Sequence, residues 1–400
     1  MPVHRVVHQL PPRIRRPRRP GVRPVLTGRA DHRRAGRRRV VPVAKPDRPG
    51  RSRTKLVVAG VAAVALLAAL GAVAVWRGWF ADPSIDDAPR ADHGPVSTVA
   101  SDLEAPWGLA FRPDGSALVT ERDSRRIVSV TPDGTVTEVA RVDEAVPRGE
   151  GGLLGIALAA DGWIYVYYTA RDDNRIARLR PGGQPEAIFT GIPKANTHNG
   201  GRIAFGPDGM LYATTGDAGD RGAAQDRDSL AGKILRLTPD GQPAPGNPFG
   251  DSPVYSYGHR NPQGLGWDSA GTLFAAEFGQ NTYDELNRIE PGGNYGWPEA
   301  EGVSGDSRFV DPVATWATND ASPSGIAVVG DEVWVACLRG QRLYRLRTDG
   351  SGAQTLLQGE YGRLRHVAAA PDGSMWVLTS NRDGRGRPSD TDDRILRLTP

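Results

Sequence analysis

Six segments of this chain repeat one plan: "LAFRPDGSALVT", "IALAADGWIYVYY", "IAFGPDGMLYATT", "LGWDSAGTLFAAE", "IAVVGDEVWVACL" and "VAAAPDGSMWVLT". Each is an apolar strand, a turn rich in Asp and Gly, and a second strand carrying an aromatic or large apolar residue, which is the signature of a β-hairpin. A second pattern follows each hairpin, in "RIVSVTPDGTV", "RIARLRPGGQP", "KILRLTPDGQP", "ELNRIEPGGNY", "RLYRLRTDGSG" and the terminal "RILRLTP". Supersecondary units repeated at roughly 40 to 60 residues cannot bury their apolar faces alone and must stack on one another. The expectation is an all-β, six-bladed β-propeller with four-stranded blades over residues 94–400. The last unit stops one strand short, while "GPVSTVASDL" (Gly94–Leu103) precedes the first unit without a partner. Pairing the two would close the ring and remove an exposed edge.

The N-terminal quarter is a different polymer. Residues 1–55 hold 18 Lys and Arg against 2 acids, leaving 32 basic and 44 acidic residues in the remainder. The overall excess of positive charge therefore belongs to a disordered basic tail and not to the folded body, whose acidic balance argues against nucleic acid as a partner. Leu56–Trp76, "LVVAGVAAVALLAALGAVAVW", carries no charge and is long enough to span roughly 30 Å of hydrocarbon as a helix. The basic residues before it place the tail in the cytoplasm and the body outside the cell membrane as a single-pass protein. Secretion after cleavage near Ala72–Ala74 is the alternative. Residues 77–93 read as a linker. Cys337 is the sole cysteine, so no internal disulfide framework supports the body.

In a propeller the Asp-Gly turns lie on one face, so the loops entering each first strand and leaving each second strand ring the opposite mouth. The entering loops include "GEGGLLG", "THNGGR", "GHRNPQG" and "GRLRH", and the leaving loops include "TGDAGD", "EFGQNTYDE", "CLRGQR" and "TSNRDG". They bring Glu150, His198, Arg260, Asn261, Gln263, Glu277, Arg339, Arg363 and Arg365 to one pocket. Convergent polar groups at a cavity mouth mark a binding site, and several guanidinium forks call for a ligand with several carboxylates. The acid-rich "GDAGDRGAAQDRDS" has carboxylate spacing that matches no standard calcium loop and reads as a solvated rim.

The segments "GEGGLLG", "HNGGRIAFGPDGMLY", "GHRNPQGLGWD", "EFGQNTYDELNRIEPGGNYGWPE" and "GRLRHV" closely resemble the glucose/sorbosone dehydrogenase family, aldose dehydrogenases that use pyrroloquinoline quinone (PQQ) and Ca²⁺. The resemblance spans roughly residues 95–400. It implies that Arg363 and Arg365 bind cofactor carboxylates, with Glu150, Gln263 and Arg339 also lining the cofactor and Arg260 and Asn261 beside the quinone oxygens. It implies that Ca²⁺ is held partly by the carbonyls of Gly279 and Gln280, with Glu277 and Asp284 as further metal ligands. His198 matches the base that takes the sugar's anomeric hydroxyl proton, with Arg260 as a second catalytic group. This chain departs from the family's glucose oxidisers at Glu150, where they have Gln, at Thr197, where they have an acid, and at Leu338 or Arg339, where they have Lys. The implied reaction is oxidation of an aldose at C1, with electrons passed on to a quinone or cytochrome. A Ca²⁺-dependent lactone or ester hydrolase and a non-catalytic binding propeller are the alternatives, since fold alone does not fix function.

Overall fold

The computed structural model describes Ile85 and residues 88–399. The basic tail and the segment 56–76 lie outside these residues. Among the described residues no helix is long and apolar enough to cross a membrane, and the helical content is one short 3-10 turn, Arg221–Ala224.

Among the described residues, twenty-four strands form six four-stranded antiparallel sheets. Blade one comprises β2 (Pro106–Phe111), β3 (Ala117–Glu121), β4 (Arg126–Val130) and β5 (Val136–Arg141). Blade two comprises β6 (Leu153–Leu158), β7 (Ile164–Thr169), β8 (Asn174–Leu179) and β9 (Glu186–Ile192). Blade three comprises β10 (Ile203–Phe205), β11 (Leu211–Thr215), β12 (Lys233–Leu237) and β13 (Val254–Tyr257). Blade four comprises β14 (Pro262–Trp267), β15 (Leu273–Glu277), β16 (Tyr283–Ile289) and β17 (Ala314–Ala317). Blade five comprises β18 (Pro323–Val329), β19 (Glu332–Cys337), β20 (Arg342–Arg347) and β21 (Gln354–Leu356). Blade six takes β22 (Leu364–Ala369), β23 (Met375–Thr379) and β24 (Ile395–Leu398) from the C-terminus and β1 (Val96–Ala100) from the other end of the body. The closure expected from the unpaired "GPVSTVASDL" is present, with Val96 opposite Leu398 and Thr98 opposite Leu396.

The repeated Asp-Gly turns have a common cause. Asp114, Asp208 and Asp372 each accept the backbone N–H two residues on, at 2.9, 3.1 and 2.9 Å, while the intervening glycine, Gly209 for example at φ +74°, takes the left-handed conformation that such a turn requires. The second strands β3, β7, β11, β15 and β23 are buried along their whole length because neighbouring blades cover both faces. Their sequences accordingly run apolar and small without the alternation of a half-solvated sheet. The outer β5 is exposed over its first half, Val136 to Glu138. At the seam where the ring closes, Phe111 of blade one meets Trp376 of blade six edge to face, with centroids 5.1 Å apart.

Two stretches depart from the sequence reading. Residues 88–91, expected in a linker, lie against blade five: Thr355 donates to the Pro89 carbonyl at 2.8 Å and Ala91 donates back to Thr355 at 2.8 Å. In blade four the fourth strand does not follow the "EPGGNY" turn. Residues 290–313 intervene between β16 and β17, and this insertion brings Trp297 and Glu301 against Arg260, Phe278 and Gly279 around a small cavity.

Candidate active site

His198 lies within the loop that enters blade three, between β9 and β10. Its φ is +57°, a left-handed conformation costing a non-glycine residue on the order of 1–2 kcal/mol, so the surroundings must hold it. Its backbone N–H donates to Glu150 Oε2 at 2.8 Å, and its ring Nδ1 lies 2.7 Å from Asp217 Oδ1. Asp217 is 1% exposed. Its other oxygen accepts from Trp297 Nε1 at 2.9 Å and its Oδ1 also accepts from Gly219 N at 2.8 Å. Burial opposes ionisation of this carboxyl, but the bonds from His198 and Gly219, the His198 charge and the Trp297 bond outweigh it and hold its pKa below 3.8. An ionised carboxylate only accepts, so the proton of a neutral imidazole sits on Nδ1. The Nε2 lone pair is then free to act as a base.

Asp217 belongs to the acid-rich segment expected to be a solvated rim; Asp220, Asp226 and Asp228 are exposed as expected, and the reading is corrected at Asp217 alone. Its acceptor capacity is spent inside the site. The available signal was position, since "TGDAGD" leaves the second strand of the very blade whose entering loop carries His198.

The cavity beside His198 has a volume of about 280 Å³ and is bordered by Glu150, Arg260, Asn261, Gly279, Gln280, Asp284, Leu338, Arg339, Arg363 and Arg385, with Phe278, Thr318 and Ser322. All of these residues except Asp284, which lies in β16, sit in loops between strands, many of them far apart in the chain, which is what the ring geometry demands. Two buried donors here have no acceptor among the described residues: Arg260 Nε and Asn261 Nδ2. Asn261 is held by its Oδ1, which accepts from Gly200 N at 3.0 Å. An unmet buried donor costs about 1–3 kcal/mol, and both residues border the cavity. Arg260 packs over the Trp297 ring, 5.5 Å from its centroid. Burial lowers its pKa, against the pull of Asp217 and Glu277.

Arg363 and Arg365 divide their roles. Arg363 borders the cavity and pairs with Asp383 at 2.9 Å. Arg365 lies in the floor, 5% exposed, where it donates to Gln263 Oε1 at 2.9 Å and stands 3.5 Å from Asp383. Burial first, and then the neighbouring Arg363, bring the Arg365 guanidinium down to about 9, with Asp383 opposing. Gln263 does not border the cavity either. The expectation that Arg365 and Gln263 line it is corrected: they form the layer beneath, joined to Ser324, whose hydroxyl donates to Gln263 at 3.0 Å. At the mouth, Arg385 pairs with Glu150 Oε1 at 2.8 Å. Leu338 supplies an apolar wall and is itself 3% exposed.

Among the expected metal-site residues, Gly279, Gln280 and Asp284 border the cavity, and Glu277 does not. Glu277 Oε2 pairs with His259 Nδ1 at 2.8 Å, and Oε1 accepts from the backbone N–H groups of Arg260 and of Asn261. Its role is to hold the entering loop of blade four, which corrects its assignment as a metal ligand. Asp284 uses Oδ1 for Gly279 N at 2.9 Å and Oδ2 for Ser322 N at 2.6 Å. Burial raises its carboxyl to about 7, against those two bonds and Arg260. Among the described residues no three His, Cys, Asp or Glu side chains converge as a metal site. A cation here would depend on backbone and ligand oxygens, which is a donor set that suits Ca²⁺.

The glucose/sorbosone dehydrogenase family matches residues 103–396. The chain is 56% identical to the aldose sugar dehydrogenase of Streptomyces coelicolor, whose PQQ-bound structure it matches with a TM-score of 0.73 over 78% of this chain and 99% of that one. It is 30% identical to quinoprotein glucose dehydrogenase B of Acinetobacter calcoaceticus over 321 residues, 67% of each chain. It is 29% identical to an aldose sugar dehydrogenase of Escherichia coli over 343 residues, 72% of this chain and 91% of the relative. With the propeller, the His198–Asp217 pair and the arginine-lined cavity, these likenesses establish that the chain belongs to the glucose/sorbosone dehydrogenase family of oxidoreductases.

Proposed function

We propose that this chain oxidises aldose sugars at C1 with PQQ and Ca²⁺, His198 acting as the base. The observation that carries the reading is the 2.7 Å contact between His198 Nδ1 and Asp217, which leaves Nε2 as the proton acceptor at the edge of a cavity rich in guanidinium groups. PQQ when bound supplies a quinone that accepts a hydride, and Ca²⁺ supplies a Lewis acid. The chain supplies the rest. Asn261 Nδ2 and the Arg260 guanidinium offer donors to ligand oxygens, and Arg363 offers a cation to a carboxylate. His198 Nε2 takes the hydroxyl proton of the sugar, and Asp217 stabilises the imidazolium that results. Trp297 keeps Asp217 from rotating away.

The test is to load the full-length chain with PQQ and Ca²⁺ and follow the quinone absorbance on adding a panel of aldoses. Bleaching by aldoses, and none by the matching lactones, is expected. A quinone that no sugar bleaches would end the reading. The hydrolase alternative would call for several carboxylates converging on the ion, and the cavity offers mainly arginines and amides instead.

Anchoring by residues 56–76, with the propeller outside the cell membrane and a quinone or cytochrome as acceptor, is part of the same proposal. It is supported by the charge-free run and the basic residues before it. Protease protection of tail and propeller in intact cells tests it, and a propeller shielded from external protease would overturn it.

A further inference from the structure

The loop after β15 has an unusual accounting of its backbone donors. Five consecutive N–H groups point at carboxylates. Gly279 N donates to Asp284 Oδ1 at 2.9 Å. Gln280, Asn281, Thr282 and Tyr283 all donate to one oxygen, Glu301 Oε1, at 2.6, 3.1, 3.0 and 3.2 Å. Successive N–H groups turned to one side form a nest that normally receives an anion. Here the anion is a side chain of the blade-four insertion.

Peptide geometry turns this into a statement about carbonyls. Among the described residues the cis peptide bonds are confined to Trp297–Pro298 and Asp392–Asp393, so the bonds of this loop are trans and each C=O points opposite the N–H of the next residue. With the N–H groups of Gln280 and Asn281 aimed at Glu301, the carbonyls of Gly279 and Gln280 face away from it. Glu301 borders a second, smaller cavity with Glu277, Glu285, Tyr295 and Trp297; Gly279 borders this one as well, whereas Gln280 does not. Gly279 and Gln280 both border the active-site cavity. The loop is tight enough that a Cβ at Gly279 would fall 1.7 Å from the Tyr283 carbonyl oxygen and 2.7 Å from Glu301 Oε1, so glycine alone fits there.

We infer that Glu301 is a positioning residue: by gathering the amides of residues 280–283 on one oxygen, it presents the carbonyls of Gly279 and Gln280 to the cavity as a preformed pair of hard-cation ligands. This rests on the calcium reading above. It adds that the affinity for the ion depends on a side chain that never touches it. Groups that orient metal ligands typically contribute 10–100-fold to metal affinity.

The test is calorimetric titration of Ca²⁺ into the full-length, detergent-solubilised chain in saturating PQQ, which supplies the remaining ligand oxygens, comparing the parent with Glu301→Ala and Glu301→Gln. Alanine removes the acceptor, whereas the glutamine amide oxygen keeps it and removes only the charge. The expected result is Ca²⁺ binding weakened about 10–100-fold by Glu301→Ala and restored to within a few fold of the parent by Glu301→Gln. A parent that binds Ca²⁺ and an alanine variant that binds it equally would overturn the inference and leave the calcium reading intact. Glutamine as weak as alanine would also overturn it, since charge and not carbonyl placement would then set affinity. A parent that takes up no Ca²⁺ would end the calcium reading and this inference with it. Should Glu301→Ala fail to fold, amide hydrogen exchange on the unmutated chain decides: protection at residues 280–283 is expected, and exchange at the rate of open amides would sink the role.

Discussion

Trp297 Nε1 donates to Asp217 Oδ2 at 2.9 Å across a sequence separation of 80 residues. The insertion of blade four is thereby tied to the leaving loop of blade three, directly behind His198. Asp217 has one oxygen for the indole and one for the imidazole, so its orientation is determined from two sides. Asp217 held in this way fixes the orientation of the His198 ring at the cavity.

Removing the base should lower kcat most. His198→Ala is expected to reduce kcat by roughly 10²–10⁴-fold with PQQ affinity nearly unchanged. Asp217→Asn should cost less, about 10–10³-fold, because the base survives but its tautomer and orientation do not. Trp297→Phe keeps the ring under Arg260 and loses one bond, so a few-fold loss is expected. Steady-state kinetics on the three variants provide the check. Parent-like turnover by Asp217→Asn would remove the pair from the mechanism.

Acid stability should report the same carboxyl. The folded pKa of Asp217 lies below its ordinary 3.8, so its ionised form contributes stability that is fully present above about pH 4 and is lost as pH falls through the folded value. Urea unfolding of the parent and Asp217→Asn across pH 2–7 should show a parent advantage at neutral pH that shrinks only below about pH 4. A gap independent of pH down to 2 would contradict the assignment.

The two arginines of "GRLRH" should separate. Arg363→Ala takes a cation from the cavity wall while Asp383 retains Arg365 nearby. PQQ affinity should fall by about 1.5–3 kcal/mol, the range for one charge-assisted bond, with little change in melting temperature. Arg365→Ala leaves the buried Gln263 and Asp383 short of a partner and should destabilise the fold by about 3 kcal/mol or more. Equal PQQ binding by Arg363→Ala and parent would make Arg363 a structural cation only. Calorimetry and thermal melts read the two effects.

Ring closure predicts a difference between two truncations. Deleting residues 1–84 leaves β1 paired with β24, and the product should be soluble and active with PQQ. Deleting residues 1–103 strips β1 from blade six and exposes the edge of β24, and aggregation is expected. Size-exclusion chromatography distinguishes them, and equal solubility would show that blade six is stable with three strands.

Much of the architecture is local and therefore legible. An Asp-Gly turn is made by residues two apart, and apolar strands on either side of it report burial directly, so the hairpins, their number and the complementary ends follow from "RPDGSALVT" and its five relatives. The entering and leaving loops follow too, because the hairpin sets which face each occupies. That is why His198, Arg260, Asn261 and Arg363 were identifiable as one group. What only the tertiary structure decided is the hydrogen-bond partner of each polar side chain, since acids in a polar loop look alike until their distances are known. Asp217 reads as a rim residue and is the partner of His198. Glu277 reads as a metal ligand and holds His259 with two amides. Glu301 gives no local signal at all, because its partners are backbone groups of a loop about twenty residues away that converge on it only when the insertion of blade four folds back beneath the ring. Strand identity depends on neighbours along the chain, whereas the roles of buried carboxylates depend on neighbours in space.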